Sequence, residues 1–152
     1  MRRQWQVAVQ DAYLSGFPAN QSAEAVIYLN DDGSSGNKEV ELLLRWSDSA
    51  NSARGYEILL NHRGAYAQIV RWNGPYGDFT YIGWATPPAP KTGDVFSAKI
   101  VGNVITAYLN GVQIMQATDS TWADGQPGVG FYVDSGGSNT AFGFSSFAAK
   151  GL

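Results

Sequence analysis

The stretch TGDVFSAKIVGNVITAYLNGVQIMQATD, Thr92 to Asp119, decides the fold class. Two turn dipeptides, Gly102-Asn103 and Asn110-Gly111, separate runs rich in Val, Ile, Thr, Tyr and Phe. A two-residue loop between such runs favours the primed turns of β-hairpins, because Gly and Asn accept the positive φ those turns need. The turns then set the pairing. Val101 falls opposite Val104, Ile100 opposite Ile105, Ala98 opposite Ala107 and Phe96 opposite Leu109; across the second turn Leu109 falls opposite Val112 and Ala107 opposite Ile114. Because side chains alternate across a strand, one face collects Phe96, Ala98, Ile100, Ile105, Ala107, Leu109, Val112 and Ile114. The other collects Ser97, Lys99, Thr106, Tyr108, Gln113 and Met115. A slip of one residue would invert the whole apolar set, so register and face composition support each other. The first face is expected to be core. The second meets water or a ligand, with Tyr108 as its one aromatic residue.

Working outward, the same alternation recurs in short segments. Trp5, Val7 and Val9 predict a first strand, Tyr13 to Asn20 a connection broken by Gly16 and Pro18, and Gln21 to Leu29 a second strand. Lys38 to Ser47 reads as a strand with Val40, Leu42, Leu44 and Trp46 on one face and Glu39, Glu41, Leu43 and Arg45 on the other. In GYEILLN, Tyr56, Ile58 and Leu60 alternate with Glu57, Leu59 and Asn61. AQIVRW and FTYIGWA follow, with Arg71 opposite in direction to Val70 and Trp72, and Tyr81 opposite to Trp84. Thr86 to Gly93 holds three prolines and cannot lie inside a sheet, so it reads as a crossover. GVGFYV and AFGFSSFAA are the last strands. No apolar 3.6-residue period persists, and about ten short strands with regular turn signals predict an all-β sandwich or jelly roll.

A chain of 152 residues predicts a single domain over 1–152, able to bury roughly 70% of the surface its unfolded chain exposes. Without cysteine, stability rests on neither disulfides nor thiolate metal sites. A net charge of -3 supplies no basic surplus to neutralise phosphates, which argues against nucleic acid or an anionic membrane as partner. No apolar run has the length of a membrane span, and MRRQWQVAVQ lacks the apolar middle of a signal peptide. The sequence therefore reads as a soluble domain, either mature or cut from a longer secreted protein. Five Trp, eight Tyr and seven Phe give more aromatic surface than one small core needs.

The order LLLRWS, GYEILLN, AQIVRWNG, GDVFSAKIVGNVITAYLNGVQI, GQPGVGFYV and FGFSSFAA resembles the concanavalin A-like lectin/glucanase superfamily, in particular laminin G-like jelly-roll domains of bacterial carbohydrate-active proteins. The resemblance covers Gln21 to Leu152. It implies two curved antiparallel sheets, an extracellular or secreted setting, a polysaccharide or oligosaccharide partner, catalytic domains appended in the full-length protein, and frequently a structural calcium. Its members include binding modules, hydrolases, lyases and adhesion domains, so the fold does not choose among them.

A sugar-binding module needs flat rings to stack on pyranose faces and a few polar groups for the hydroxyls. Tyr66, Trp72, Tyr76, Trp84 and Trp122 are the aromatic candidates, set in or beside turns; burial at the ends of a sandwich accounts equally for any one tryptophan, and Tyr76 and Trp122, next to Gly, Pro and Asp in loops, have the best claim to a ligand. The polar candidates are Glu41, Arg45, Glu57 and Arg71, which with Glu39 and Asn61 would form a polar line if their strands are neighbours. Glu41 and Glu57 would be the pair for two-carboxylate hydrolysis, although the laminarinase-type run of three carboxylates is missing and a solvated Arg-Glu ladder explains the same residues. A lyase would draw on Tyr66 and His62 in NHRGAYAQ. DDGSSGN offers Asp31, Asp32 and Asn37 to calcium, though any exposed hairpin loop has that composition. No cofactor is required. The expectation is a non-catalytic carbohydrate-binding domain for a β-glucan or similar polysaccharide, with a small glycoside hydrolase or polysaccharide lyase and a laminin G-like adhesion domain as alternatives.

Overall fold

The computed structural model describes residues 11–30, 33, 35–134, 138 and 140–152. The strand expected over Trp5 to Gln10, and the calcium ligands Asp31 and Asp32, lie outside the described residues. Among the described residues eleven strands follow in order: β1 (Ala12–Tyr13), β2 (Gln21–Leu29), β3 (Lys38–Ser49), β4 (Ser52–Asn61), β5 (Ala67–Pro75), β6 (Phe79–Ala85), β7 (Val95–Val101), β8 (Val104–Leu109), β9 (Val112–Thr118), β10 (Gln126–Val133) and β11 (Phe142–Gly151). They form a six-stranded sheet, β1-β10-β3-β4-β5-β6, and a five-stranded sheet, β11-β2-β7-β8-β9, with every pairing antiparallel. No helix of the described residues is long and apolar enough to cross a membrane.

The β7-β8 register is the expected one at all four predicted pairs, and Asn110 (φ 51) and Gly111 (φ 77) both take the positive φ of a primed turn. The β8-β9 ladder departs from expectation. A bulge after Ala107 pairs it with Met115 rather than Ile114. Met115 is thereby turned into the core, while Val112, expected there, is 67% exposed. The main core lies between the sheets, built by Ala23, Ala25 and Ile27 of β2, Val40, Leu42 and Leu44 of β3, Tyr56, Ile58 and Leu60 of β4, Ile69 of β5, and Phe96, Ala98, Ile100, Ile105 and Ala107 of the meander.

A second bulge changes β3. Arg45 and Trp46 together oppose the single residue Gly55, because pairing jumps from Leu44-Tyr56 to Ser47-Arg54. Gly55 is required there: at φ 130 an added Cβ would sit 2.6 Å from the Arg45 carbonyl oxygen and 2.8 Å from Trp46 Cα. The extra residue sends Trp46 to the opposite face from Val40, Leu42 and Leu44, where strict alternation had grouped it. There it joins Leu43, Ala53, Leu59, Val70 and Trp72 in a second apolar cluster on the outer face of the six-stranded sheet.

Arg45, at φ 48, is an internal tie rather than a surface ligand. Its guanidinium donates to the carbonyls of Ala19 (2.9 Å), Trp122 (2.9 Å) and Gly102 (2.7 Å), and its amide donates to the buried Gln21 side chain (2.8 Å). Burial lowers its pKa from the usual arginine value, and the carbonyls that receive its charge join three loops at one end of the sandwich.

Candidate functional site

The outer face of the six-stranded sheet carries most of the residues singled out in the sequence. Antiparallel partners share a face, so the registers give rows across it. One row runs Gly130-Glu41-Leu59-Gln68-Trp84, from β10 to β6. The next runs Gly128-Leu43-Glu57-Val70-Tyr81, and a third pairs Gly55, Trp72 and Phe79. A bulge between β5 and β6 sets Gly83 against Ile69 and Tyr81 against Val70, leaving Ile82 unpaired. This places Tyr81 on the same face as Trp84, against the alternation expected from the sequence.

The face grades from buried to exposed. At its centre Glu41 is 1% exposed and Glu57 and Trp72 are fully buried. Glu41 and Glu57 were expected on a wet strand face, and this is a correction. They share the face with the apolar cluster of Leu43, Leu59, Val70 and Trp72, and the Trp72 indole N–H donates to Glu57 Oε2 at 2.9 Å, giving the carboxylate a buried partner. Trp72 is thus a core ring and a hydrogen-bond donor, closed to ligand. It packs edge-on to Trp46 (6.1 Å) and tilted against Phe79 (5.1 Å), and Phe79 meets Tyr81 edge-on (5.5 Å). That run of rings ends in solvent on the edge strand, where Tyr81 is 55% and Trp84 62% exposed.

Among the described residues, one aromatic ring holds Trp84. The Tyr66 ring stacks on it at 5.8 Å and 28°, and the Tyr66 hydroxyl donates to Glu39 Oε1 at 2.7 Å. The buried carboxylate therefore fixes the tyrosine, and the tyrosine fixes the tryptophan. The exposed face of a positioned indole can stack on a sugar ring, with Gln68 paired beside it to exchange hydrogen bonds. Tyr66 and Trp84, both named from the sequence, are brought together here. Tyr81 was not named, because its place depends on the bulge; the alternation of aromatic residues in FTYIGW was the only local signal.

The other candidates lie elsewhere. Arg71 points to the inner side of the sheet, since its partner on β4 is the core residue Tyr56. It pairs with Asp119 at 2.6 Å, and Tyr56 donates to the same carboxylate at 2.7 Å. Burial pulls the Asp119 carboxyl upward, but hydrogen bonds from Tyr56, Thr121 and Arg71 outweigh it and hold the group below its usual value. Burial first, with Asp119 beside it, pushes the Tyr56 phenol up to about 12. The expected polar line from Glu41 through Arg71 is therefore split between opposite faces of the sheet.

Trp122 is a strut. Its indole donates to the Trp72 carbonyl (2.8 Å), its amide donates to the Tyr56 hydroxyl (3.1 Å), and the Arg54 guanidinium lies 5.2 Å from its ring centroid. Tyr76 is half-buried at the β5-β6 turn, its amide bonded to the Asn51 carbonyl (3.1 Å). His62 stands at the end of β4 with Nδ1 accepting from the Lys38 amide at 3.3 Å, apart from Tyr66, whose hydroxyl is engaged by Glu39. Burial and the nearby cations Lys38 and Arg63 lower the His62 pKa.

Two arrangements bear on metal. Asn37 is spent on the loop, its side chain donating to Asp134 (3.1 Å) and accepting from Asn61 (3.1 Å). Glu39, Glu41 and Glu57 bring carboxylate oxygens within 4.8 Å of one another, a donor set of the hard-oxygen kind that suits Ca²⁺, Mg²⁺ or Mn²⁺.

No family model matches the chain, and no curated protein matches it. Solved structures do. A carbohydrate-binding module, CBM66 from Bacillus subtilis, superposes with a TM-score of 0.67 at 17% identity, covering 93% of this chain and 80% of that one. A tetrameric galectin from the ball sponge Cinachyrella sp. gives 0.61 at 14% identity over 92% and 97%. A family 16 endo-glucanase from Bacteroides ovatus gives 0.55 at 11% identity over 78% and 56%. The fold is the concanavalin A-like jelly roll. At these identities the jelly roll is the common property, and the residues of this chain must argue the rest.

Proposed function

We propose that this jelly roll is a carbohydrate-binding domain that takes a neutral polysaccharide, such as a β-glucan, on the outer edge of its six-stranded sheet. The observation that carries the reading is Trp84: a large ring left 62% exposed yet held in a fixed plane by Tyr66, which is itself anchored on Glu39. An exposed indole gains nothing for folding, whereas a pre-oriented one stacks on a pyranose without first losing rotamer freedom. Tyr81 extends the aromatic surface along the strand. The carboxylates beneath disfavour an acidic glycan at this edge. The likeness to a carbohydrate-binding module and to galectins supports the same class of ligand.

Hydrolysis is the second reading, because Glu41 and Glu57 bring carboxylate oxygens within 4.8 Å of one another, a little closer than the ~5–5.5 Å between the two carboxyl groups of retaining glycosidases. Their burial favours the edge aromatics as the point of contact. Affinity electrophoresis against a panel of neutral polysaccharides tests the proposal. Retardation by at least one polymer, abolished in Trp84→Ala with an unchanged circular dichroism spectrum, is the expected result. Free migration through every polymer would sink it, and release of reducing ends would move the assignment to Glu41 and Glu57.

A further inference from the structure

On the opposite side of the molecule, the outer face of the five-stranded sheet holds a groove of about 190 Å³ lined by Ser22, Glu24, Ser97, Lys99, Tyr108 and Lys150, with Ala23, Ala98 and Ala148 between them. The registers place its polar groups in two rows. In the first, Ser22 of β2 is paired with Lys150 of β11 on one side and Lys99 of β7 on the other. The two lysines are therefore two strand spacings apart, about 10 Å between backbones, with a serine hydroxyl midway. Both are exposed. Among the described residues neither forms an ion pair; Lys99 Nζ instead lies 5.8 Å from the Tyr108 ring centroid. In the second row Glu24 is paired with Ala148 and Ser97, and Ser97 with Tyr108.

We propose that this groove is a second binding site, for a sugar ring that carries a carboxylate. The first row fits the acid: an oxyanion over Ser22 lies within reach of both flexible ammonium groups, accepts a hydroxyl hydrogen bond, and relieves the repulsion between them. The second row fits the ring. Glu24 accepts from sugar hydroxyls, Ser97 and the Tyr108 phenol donate or accept, and Ala148 offers an apolar contact. Charge grades along the groove from two cations to one anion, so the ligand is oriented, acid toward the lysines and hydroxyls toward Glu24. The volume is below the ~300–1,000 Å³ of drug-sized pockets and suits a single ring. This site shares no residue with the aromatic edge and does not depend on it.

The test is an amide-resolved NMR titration of the whole chain with sodium glucuronate, with glucose and sodium sulfate as separate probes. Saturable shifts at Ser22, Ser97 and Lys99, with glucuronate at least tenfold tighter than either glucose or sulfate, are expected. A Lys99→Gln, Lys150→Gln double variant, whose substitutions are exposed and leave the fold intact, should lose at least tenfold, and raising salt should weaken the wild-type protein. Trp84→Ala should bind glucuronate as the wild type does. The proposal is overturned by absence of saturable shifts, by an unchanged double variant, by sulfate or glucose binding as tightly as glucuronate, or by loss of glucuronate binding in Trp84→Ala.

Discussion

The two outer faces of this sandwich are built from the same alternating pattern and end up as different surfaces. On the six-stranded sheet the outward residues are Leu43, Leu59, Val70, Trp72, Phe79, Tyr81 and Trp84 around three carboxylates, and two bulges steer the rings. On the five-stranded sheet they are Ser22, Glu24, Ser97, Lys99, Tyr108 and Lys150. The first face has a buried centre and an exposed edge. The second keeps its lysines exposed and its groove lined mainly by polar side chains. Position on a strand says which way a side chain points; what surrounds it decides whether that direction leads to core, water or ligand.

The contrast is sharpest between two tryptophans of the six-stranded face. Trp72→Ala should cost about 3–5 kcal/mol in urea denaturation, since it empties a fully buried site and removes a hydrogen-bond donor to Glu57. Trp84→Ala should stay within about 0.5 kcal/mol of the wild type while losing polysaccharide retardation. Equal destabilisation by both would erase the distinction between centre and edge. Gly55→Ala should cost about 2–3 kcal/mol in the same assay, because a Cβ at φ 130 meets the Arg45 carbonyl and the bulge that carries Trp46 outward must shift. A neutral outcome would mean that the bulge does not set the face.

Smaller effects come from titration. Folding raises the Tyr56 phenol from 10.0 to about 12, so the native state holds this proton more tightly than the unfolded chain. Its contribution to stability is full below pH 10 and declines as pH rises toward 12, and Tyr56→Phe should remove that part of the slope in denaturation measured between pH 9 and 12. His62 works in the opposite sense. Its folded pKa lies below 6.5, so the stability tied to the neutral imidazole is complete above about pH 6.5 and is lost as pH falls through the folded value. The melting temperature should therefore drop between pH 7 and 5 more in the wild type than in His62→Gln. A parallel decline in both proteins would show that the imidazole is not the group responsible.

Much of the architecture was legible because β-hairpins are local. Gly102-Asn103 and Asn110-Gly111 dictate their own turns, and the pairing of β7 with β8 follows residue by residue. Bulges are not local in the same sense. Arg45-Trp46 opposite Gly55, Ile82 beside Tyr81, and Ile114 beside Met115 each break the two-residue period only because a neighbouring strand holds the rest of the ladder in place. The faces of Trp46, Tyr81 and Met115 were misassigned at these points, whereas Arg71 was placed with Glu41 and Glu57 although its ladder with β4 is regular.

By itself, then, the sequence determined the strands from Gln21 onward and the all-β jelly-roll class, and it named Tyr66 and Trp84 among five candidate aromatics, since turn chemistry and alternation act over a few residues. Only the tertiary structure decided that Glu41, Glu57 and Trp72 are buried, that Arg45, Arg71 and Trp122 are internal ties, and that Tyr81 joins Trp84 on an exposed edge. Burial is a property of the packed sheets, and no single strand carries it.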